Sequence, residues 1–181
     1  YQGGISIMDF TDSSNPQEIA YFDRGPIDEE VMIGGGFWSV YWYNGKIYGT
    51  EMIRGLDVLG LLPSEHLTAN EVAAANLADQ DGVFNPQQQF PVAWPADPVI
   101  ALAYVDQLQG SAAMPANAAA EIQAALESAS AELANGARNR KLAKELKGLA
   151  KGLNGADVDA ITARRQAELA DALEGIAERL M

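Results

Sequence analysis

The sequence predicts a mixed fold, in which the closing part of an all-β propeller is followed by an all-α bundle of three helices. Residues 34–63 alternate short apolar runs with turn residues, which is the pattern of consecutive antiparallel strands. A strand that follows Gly4 has the same pattern as one that follows Gly55, and this interval of 51 residues is close to the length of one four-stranded blade. Residues 116–181 carry apolar stripes at helical spacing.

The best-defined element in the sequence is a β-hairpin. Asn44-Gly45 separates an aromatic run over Phe37 to Tyr43 from a return strand over Lys46 to Met52. Both residues of a type I′ turn need positive φ, which asparagine and glycine tolerate. A third strand, predicted over Leu56 to Leu61, completes an antiparallel meander.

Two shorter strands precede this meander. They are predicted over residues 4–10 and 17–23, on either side of a turn-forming cluster at 11–16. The first would be the last strand of one blade, and the remaining strands would form the final blade. About one and a quarter blades cannot close, because a propeller leaves no long unpaired edge. We therefore expect the other blades to come from a preceding segment of a longer precursor or from another chain.

The sequence pattern changes after Pro63 and divides the chain into three predicted domains. Residues 1–62 are assigned to the propeller, residues 63–110 to a connecting region and residues 111–181 to the helical bundle. The connecting region is predicted to contain a capping helix, a proline-rich strap and a second helix.

Two capping signals place the first of these helices. Ser64 is predicted to cap a helix that begins at Glu65, and Thr68 with Glu71 has the spacing of a capping box.

A proline-punctuated strap follows from Asn85 to Pro95. Proline fixes φ and removes a backbone donor, so the strap is expected to lie on the surface with Phe90 and Trp94 as apolar anchors. The second helix is predicted from about Pro98 to Gln109.

Three apolar stripes predict the helical bundle. Gly136 and Asn154-Gly155 are the predicted breaks between the helices. The stripes consist of Ile122, Leu126, Ala129 and Leu133; Leu142, Leu146, Leu149 and Leu153; and Leu169, Leu173, Ile176 and Leu180. Their pattern resembles the FIVAR-like three-helix modules of bacterial surface proteins, with low specificity because alanine and leucine stripes are common.

The strand after Gly4 and the turn at Asn15-Pro16 resemble the LVIVD repeat, which has a glycine, an alternating apolar strand, a turn and a short second strand. Residues 37–58 resemble the closing repeat of its bacterial members, which continue into a helix like residues 63–67. The resemblance covers about residues 3–90. It implies a β-propeller outside the cytoplasm, whether secreted, periplasmic or on the cell surface. It implies little about function, because members of the family are mostly uncharacterised.

The chain is acidic, with a formal net charge of −13 and a pI near 4.3. Residues 1–62 contain nine acidic and three basic residues, residues 63–110 six and none, and residues 111–181 ten and nine. This charge disfavours nonspecific binding to nucleic acid or anionic lipid. The chain contains no cysteine, which excludes disulfides and thiolate metal sites. No apolar run approaches the roughly 20 residues of a membrane-spanning helix.

The single histidine and a set of acidic residues are candidate ligands or catalysts. His66 is the only histidine and has no visible catalytic partner, so a structural or solvent-facing role is favoured over a zinc ligand or general base. Calcium is a candidate cofactor, since it binds carboxylates in flexible loops, but no calcium-binding motif is present. The carboxylates concerned are Asp9, Asp12, Asp23, Asp28, Glu29 and Glu30, and a solvated acidic loop is the alternative.

Four residues of the meander are candidate partner-binding residues. Glu51 and Arg54 form either an ion pair that fixes the entry to the third strand or a polar site on the propeller face. Trp38 and Trp42 share one face of a regular strand, where they either pack between blades or stack on a sugar ring or a protein partner.

A basic stretch between residues 138 and 151 supplies three more candidates, Arg138, Lys141 and Lys144. It contains six cations and a single acid, Glu145. It is either the solvated face of a helix or a docking patch for an anionic partner such as an acidic wall polymer or an acidic protein. Nucleic acid is disfavoured, because no aromatic residue is interleaved with the charge.

These observations favour a non-enzymatic scaffold or interaction protein, in which a propeller face binds a partner and the bundle tethers or assembles the protein. The expected partner is another protein or further copies of this chain. One alternative is a propeller hydrolase or metal-dependent enzyme whose active site lies in the other blades. Another is a module that binds a surface glycan. The sequence identifies no catalytic residue, cofactor-binding residue or metal ligand.

Overall fold

The computed structural model describes residues 3–80, 82, 85, 92–153 and 158–181. The chain divides into two compact units, one that ends at Ala93 and one that begins at Trp94. The first unit contains the strands, and the second contains four of the five helices found in the described residues.

The five strands of the described residues form two small antiparallel sheets. Strands β1 and β2 form a two-stranded sheet, and β3, β4 and β5 form a three-stranded sheet in that order. Their bounds are Ile5–Asp9 for β1, Gln17–Phe22 for β2, Phe37–Tyr43 for β3, Lys46–Glu51 for β4 and Gly55–Leu59 for β5.

The predicted propeller is therefore wrong. A final blade requires β2 to extend the sheet of β3, β4 and β5, but β2 pairs with β1 instead, with Ile5 opposite Phe22. The connection between β1 and β2 is short, so this local pairing has a low cost in loop entropy. The segment from β2 to β3 contains Pro26 and the triplet Gly34-Gly35-Gly36, which do not favour extension of a strand.

The predicted hairpin turn is confirmed. Asn44 and Gly45 have φ values of 45° and 74°, and Tyr43 pairs with Lys46 across them. Two hydrogen bonds to Gln80, which lies outside the hairpin, also stabilise the turn. Asn44 donates its backbone N–H to Oε1 of Gln80 at 3.0 Å, and Asn44 Oδ1 accepts the N–H of Gln80 at 2.8 Å.

The two sheets of the first unit share a small apolar core. Ile5 and Ile47 are buried, and the ring of Phe22 packs edge-to-face on Phe37 with centroids 5.9 Å apart. Arg24 lies over both rings, at 5.1 Å and 5.6 Å from their centroids, and forms an ion pair with Asp57 of β5. The Arg24 side chain therefore connects the end of β2 to the outer strand of the second sheet.

The helix α1 (Ala69–Ala75) follows the second sheet. Its capping box is confirmed, because Thr68 accepts the N–H of Glu71 and the Glu71 carboxylate accepts the N–H of Thr68. The helix predicted from Glu65 is wrong. Ser64 Oγ instead accepts the N–H groups of His66 and Leu67 in a single turn, and the helical hydrogen bonds begin only at Thr68.

Four helices make up the second unit within the described residues. They are α2 (Pro98–Gly110), α3 (Ala116–Ala134), α4 (Arg140–Gly152) and α5 (Ala160–Arg179). Helix α5 packs against α2 and α4, and α3 also packs against α2 and α4. The helices predicted from the three stripes and the predicted second helix are all present, and Gly136 ends one of them with a φ of 63°.

The prediction of a three-helix bundle is wrong, because α2 is part of the same core. Ala101, Val105 and Leu108 of α2 are fully buried among the apolar stripes of α3, α4 and α5. These three residues recur every three or four positions and so lie on one helix face. The predicted anchor Phe90 and the predicted break at Asn154-Gly155 lie outside the described residues, and Trp94 is 39% exposed.

Candidate functional site

The three-stranded sheet has an outer face that carries aromatic and aliphatic side chains. Alternate residues of a strand point to opposite faces, so the strand register assigns side chains to this face. Tyr41, Tyr48 and Val58 lie directly opposite one another on β3, β4 and β5 and form one cross-strand row. Ser39, Thr50 and Leu56 form the next row, and a hydrogen bond of 2.9 Å joins the hydroxyl groups of Ser39 and Thr50. We call the surface formed by these two rows, together with Tyr43 and Lys46, the outer face.

Much of the outer face is open to solvent. Leu56 is 64% exposed, Val58 54% and Tyr41 39%. By contrast, on the other side of the sheet the β4 residues Ile47, Gly49 and Glu51 are buried, with Gly49 close to Ile5 of β1, and the edge residue Val40 is 38% exposed. The central strand of the sheet therefore turns one side to the core, and the opposite face is available for contact.

None of the eight residues of the outer face is acidic. The two carboxylates of β4 and β5 belong to the inner face, since Glu51 and Asp57 alternate with Tyr48 and Val58. Asp57 is paired with Arg24, and Glu51 is 5% exposed. In a chain with 25 acidic residues, this face has a different charge character from the protein as a whole.

The two tryptophans of β3 are not brought together as a regular strand would bring them. A β-bulge lies between Phe37 and Ser39, and Trp38 is the additional residue there. Trp38 is 76% exposed. Trp42 pairs with the buried Ile47 and is half-buried.

The carboxylate of Glu51 is the acceptor for three backbone N–H groups. Its Oε1 accepts from Gly36 at 2.5 Å, and its Oε2 accepts from Ile53 at 2.9 Å and from Arg54. Burial alone would raise the pKa of Glu51, but these donors and the positive charge of Arg54 hold the pKa below its ordinary value. Glu51 thus fixes the turn between β4 and β5 to the strand entry at Gly36.

The guanidinium of Arg54 binds a different segment from its backbone N–H. It donates to the carbonyl oxygens of Gly25 and Pro26, at 3.1 Å and 3.2 Å. Glu51 and Arg54 were predicted to form either an ion pair or a polar site. They meet through the backbone N–H of Arg54, and both hold loops in place.

An apolar cleft of about 540 Å³ lies within the first unit. It is bordered by inward-facing residues of both sheets, including Ile7, Phe22 and Ile47, and by residues 59–66. His66 lines one end, and its Nε2 lies 3.8 Å from Oε1 of Glu65, which is beyond hydrogen-bonding distance. The cleft has the size of a small-molecule site, and its walls offer mainly apolar contact.

The basic stretch lies along one side of α4 in the second unit. Arg140, Lys144, Lys147 and Lys151 border a groove of about 410 Å³, and Ala143, Gly148 and Met181 complete its lining. We call this the basic groove. The other two predicted cations lie outside it, since Lys141 does not line the groove and Arg138 donates to the carbonyl oxygen of Met181 at 3.3 Å.

Two of the candidate calcium ligands, Asp12 and Asp28, accept hydrogen bonds within turns. Asp12 accepts the hydroxyl and the N–H of Ser14, and Asp28 accepts the N–H groups of Val31 and Glu30. These bonds lower the pKa of both carboxyl groups. In the part of the chain that the structure describes, no group of three or more histidine or acidic side chains is arranged to hold a metal ion.

Comparison with protein-family models, with curated proteins and with solved structures found no match to this chain. The resemblance to the LVIVD repeat therefore stays a prediction, as does a location outside the cytoplasm. Among the described residues, no helix has both the length and the apolar character that a membrane span requires.

Sequence reasoning identified Trp38, Trp42 and the basic stretch, but it missed Tyr48, Leu56 and Val58 as a surface. The missing signal was the pairing register. Once β4 is aligned with its neighbours, the uncharged residues at alternate positions of three strands fall on one face.

Proposed function

We propose that this chain is a non-enzymatic interaction protein that assembles with a second copy of itself through the outer face of β3, β4 and β5. One observation carries the proposal: an exposed sheet face that combines aromatic, aliphatic and hydroxyl side chains and has no carboxylates, on a chain whose net charge is −13. Contiguous exposed apolar surface of this kind is typical of protein contact sites.

The charge distribution favours a second copy as the occupant. Two molecules that each carry a net charge of −13 repel one another at most approaches. A contact between them is favoured where the surfaces bring no carboxylates together. The outer face meets this condition, and Lys46 is its one charged residue.

The geometry of the face is suited to self-stacking. Two sheets that pack face to face lie about 10 Å apart, with their strands within about 30° of each other. A two-fold axis through the contact would place the row of Tyr41, Tyr48 and Val58 against the same row of the second copy. Aromatic and β-branched side chains interdigitate well in such packing.

The size of the face sets the expected strength of the contact. Three strands spaced about 4.8 Å apart, with about six residues of 3.3 Å each, give an area on the order of 300 Å². Stable complexes bury about 800 Å² on each partner. We therefore expect a reversible dimer whose population rises with protein concentration. The further role of a scaffold outside the cytoplasm is a proposal that rests on the LVIVD resemblance alone.

Sedimentation equilibrium at a series of protein concentrations tests this proposal with a matched pair of variants. The unmodified chain should show a concentration-dependent monomer–dimer equilibrium. Leu56→Glu places a carboxylate from each copy in the contact, so it should weaken dimerisation by at least about tenfold, because like charges across an interface cost several kcal/mol. Leu62→Glu is the control, since Leu62 is 78% exposed and lies beyond the end of β5.

Two results would contradict the proposal. One is a chain that stays monomeric at every concentration, and the other is an equal loss of dimer in Leu56→Glu and Leu62→Glu. Quenching of the tryptophan fluorescence by soluble cell-wall glycan fragments, with no dimer detected, would instead support a glycan-binding module.

A further inference from the structure

We infer that the basic groove on α4 binds an extended acidic segment of a partner protein. The inference is independent of the outer face, because every residue of the groove belongs to the second unit. Three observations support it: the alignment of the cations, the absence of carboxylates from the groove, and a floor made of small residues.

The cations of the groove are aligned by the helix. Arg140, Lys144, Lys147 and Lys151 follow one another at intervals of four, three and four residues, which places them on one face of α4. With a rise of 1.5 Å per residue, the row is about 16 Å long and its charges are about 4.5–6 Å apart along the axis. Alternate residues of an extended polypeptide are about 6.6–6.8 Å apart, so successive acidic side chains on one edge can meet successive cations.

The cations of the groove form no ion pair with an acidic side chain of the described residues. No residue that lines the groove is acidic, and none of the three ion pairs formed by the described residues includes a cation of α4. The remainder of the chain is strongly acidic. A row of like charges on one helix face is unfavourable by itself, because cations at i and i+4 repel, and a bound acidic segment would relieve that repulsion.

The floor of the groove leaves room for a backbone. Ala143 is buried, and a Cβ added to Gly148 would meet no atom within 4 Å apart from its own turn of the helix. An extended chain can therefore lie close to the helix between the lysine side chains. Met181, which is 46% exposed, offers one apolar contact in the same lining.

The chemistry of the lining favours carboxylates over phosphates. Phosphate sites collect several converging donors, and bidentate arginine and hydroxyl groups are prominent among them. Here three of the four cations are lysines, and the other lining residues are alanine, glycine and methionine. Lysine acts as a single point charge, which suits an isolated carboxylate. Insertion into a lipid surface is disfavoured as well, because the apolar side chains of α4, such as Leu142 and Leu146, are buried in the core of the second unit.

The test uses the full chain and a fluorescently labelled peptide of alternating glutamate and alanine, long enough to span the groove. Binding is followed by fluorescence anisotropy at a series of salt concentrations. The unmodified chain should bind the peptide, and its affinity should fall as salt rises, because the contact is electrostatic and exposed. Lys144→Glu combined with Lys147→Glu should weaken binding about tenfold or more, since each reversal replaces an attraction with a repulsion. Lys141→Glu, on the same helix but outside the groove, should have a much smaller effect.

A variant that keeps every charge distinguishes a groove from a diffuse positive surface. A Cβ at position 148 meets no neighbouring side chain or distant backbone, and leucine has a higher helix propensity than glycine, so α4 should remain folded in Gly148→Leu while the larger side chain occupies the floor. We expect this variant to lose at least severalfold in peptide affinity. Unchanged binding by Gly148→Leu would overturn the groove. A loss of affinity in Lys141→Glu as large as that in the double variant Lys144→Glu with Lys147→Glu would overturn it as well. Tighter binding of a polyphosphate chain or of anionic lipid vesicles than of the peptide would overturn the choice of partner.

Discussion

Replacing Leu108 with alanine is expected to lower the free energy of unfolding of the helical unit by about 2–5 kcal/mol, the range for removing a large aliphatic side chain from a packed core. Leu108 is fully buried, together with Ala101 and Val105 of the same helix. Because the cavity would lie among helices that hold one another in place, it can collapse only in part. Urea unfolding followed by circular dichroism in the helical region would measure this loss.

The control for this substitution lies on the same helix. Leu102→Ala removes the same atoms from a residue that is only partly buried, so its cost should be clearly smaller. If α2 lay outside the core, Leu108→Ala would behave as a surface substitution, with a cost within about 0.5 kcal/mol. That result would contradict the four-helix arrangement.

Glu51→Gln is expected to lower the thermal unfolding midpoint of the first unit by several degrees. The neutral amide has nearly the same shape, but it offers one acceptor oxygen in place of two and turns an NH₂ group toward backbone N–H donors. An unsatisfied buried donor is costly. Tryptophan fluorescence from Trp42, which pairs with the core residue Ile47, is a suitable signal. Glu30→Gln, at an exposed glutamate of the same unit, is the matched control.

The pH dependence gives a second measure of the same carboxylate. The pKa of Glu51 in the folded chain is below its ordinary value of 4.5, so the unfolded chain binds the proton more readily. The stability that the carboxylate contributes is therefore fully present above about pH 4.5, and it is lost as pH falls through the lower pKa of the folded state. Glu51→Gln should show a flatter loss of stability on the acid side, whereas Glu30→Gln should follow the unmodified chain. Asp12 and Asp28, whose pKa values are also lowered, account for part of the remaining slope. Identical acid-side slopes in the two variants would contradict this role of Glu51.

The strands of the meander could be predicted from sequence because their signals are local. Asn44-Gly45 specifies a two-residue turn, and the apolar runs beside it have the composition of strands. The sheet to which β2 belongs could not be predicted in this way. Pairing depends on which strand edge is near in space. The similar segments after Gly4 and Gly55 are separated by the length of one blade, but the strands between them are not hydrogen-bonded into one four-stranded sheet.

The two candidate surfaces also differ in how far local sequence patterns predict them. A row of cations at helical spacing is visible in the sequence, so the basic stretch could be found before the structure. The sequence does not show which cations of this stretch line the groove and which, like Lys141, lie outside it. That depends on the position of Met181, which follows α5 and lies beside α4. The outer face depends on the register of three strands, which no single segment contains.

The sequence by itself determined the hairpin, the Thr68–Glu71 capping box, the four long helices and the uneven distribution of charge, because each depends on residues within a few positions of one another or on composition alone. Only the tertiary structure decided that β2 joins β1, that Leu108 enters the helical core, and that Glu51 is buried beneath Gly36 while Val58 faces outward. The physical reason is that burial and strand pairing are set by contacts between distant segments, and an apolar residue has the same local pattern whether it lies in a core or on an exposed face.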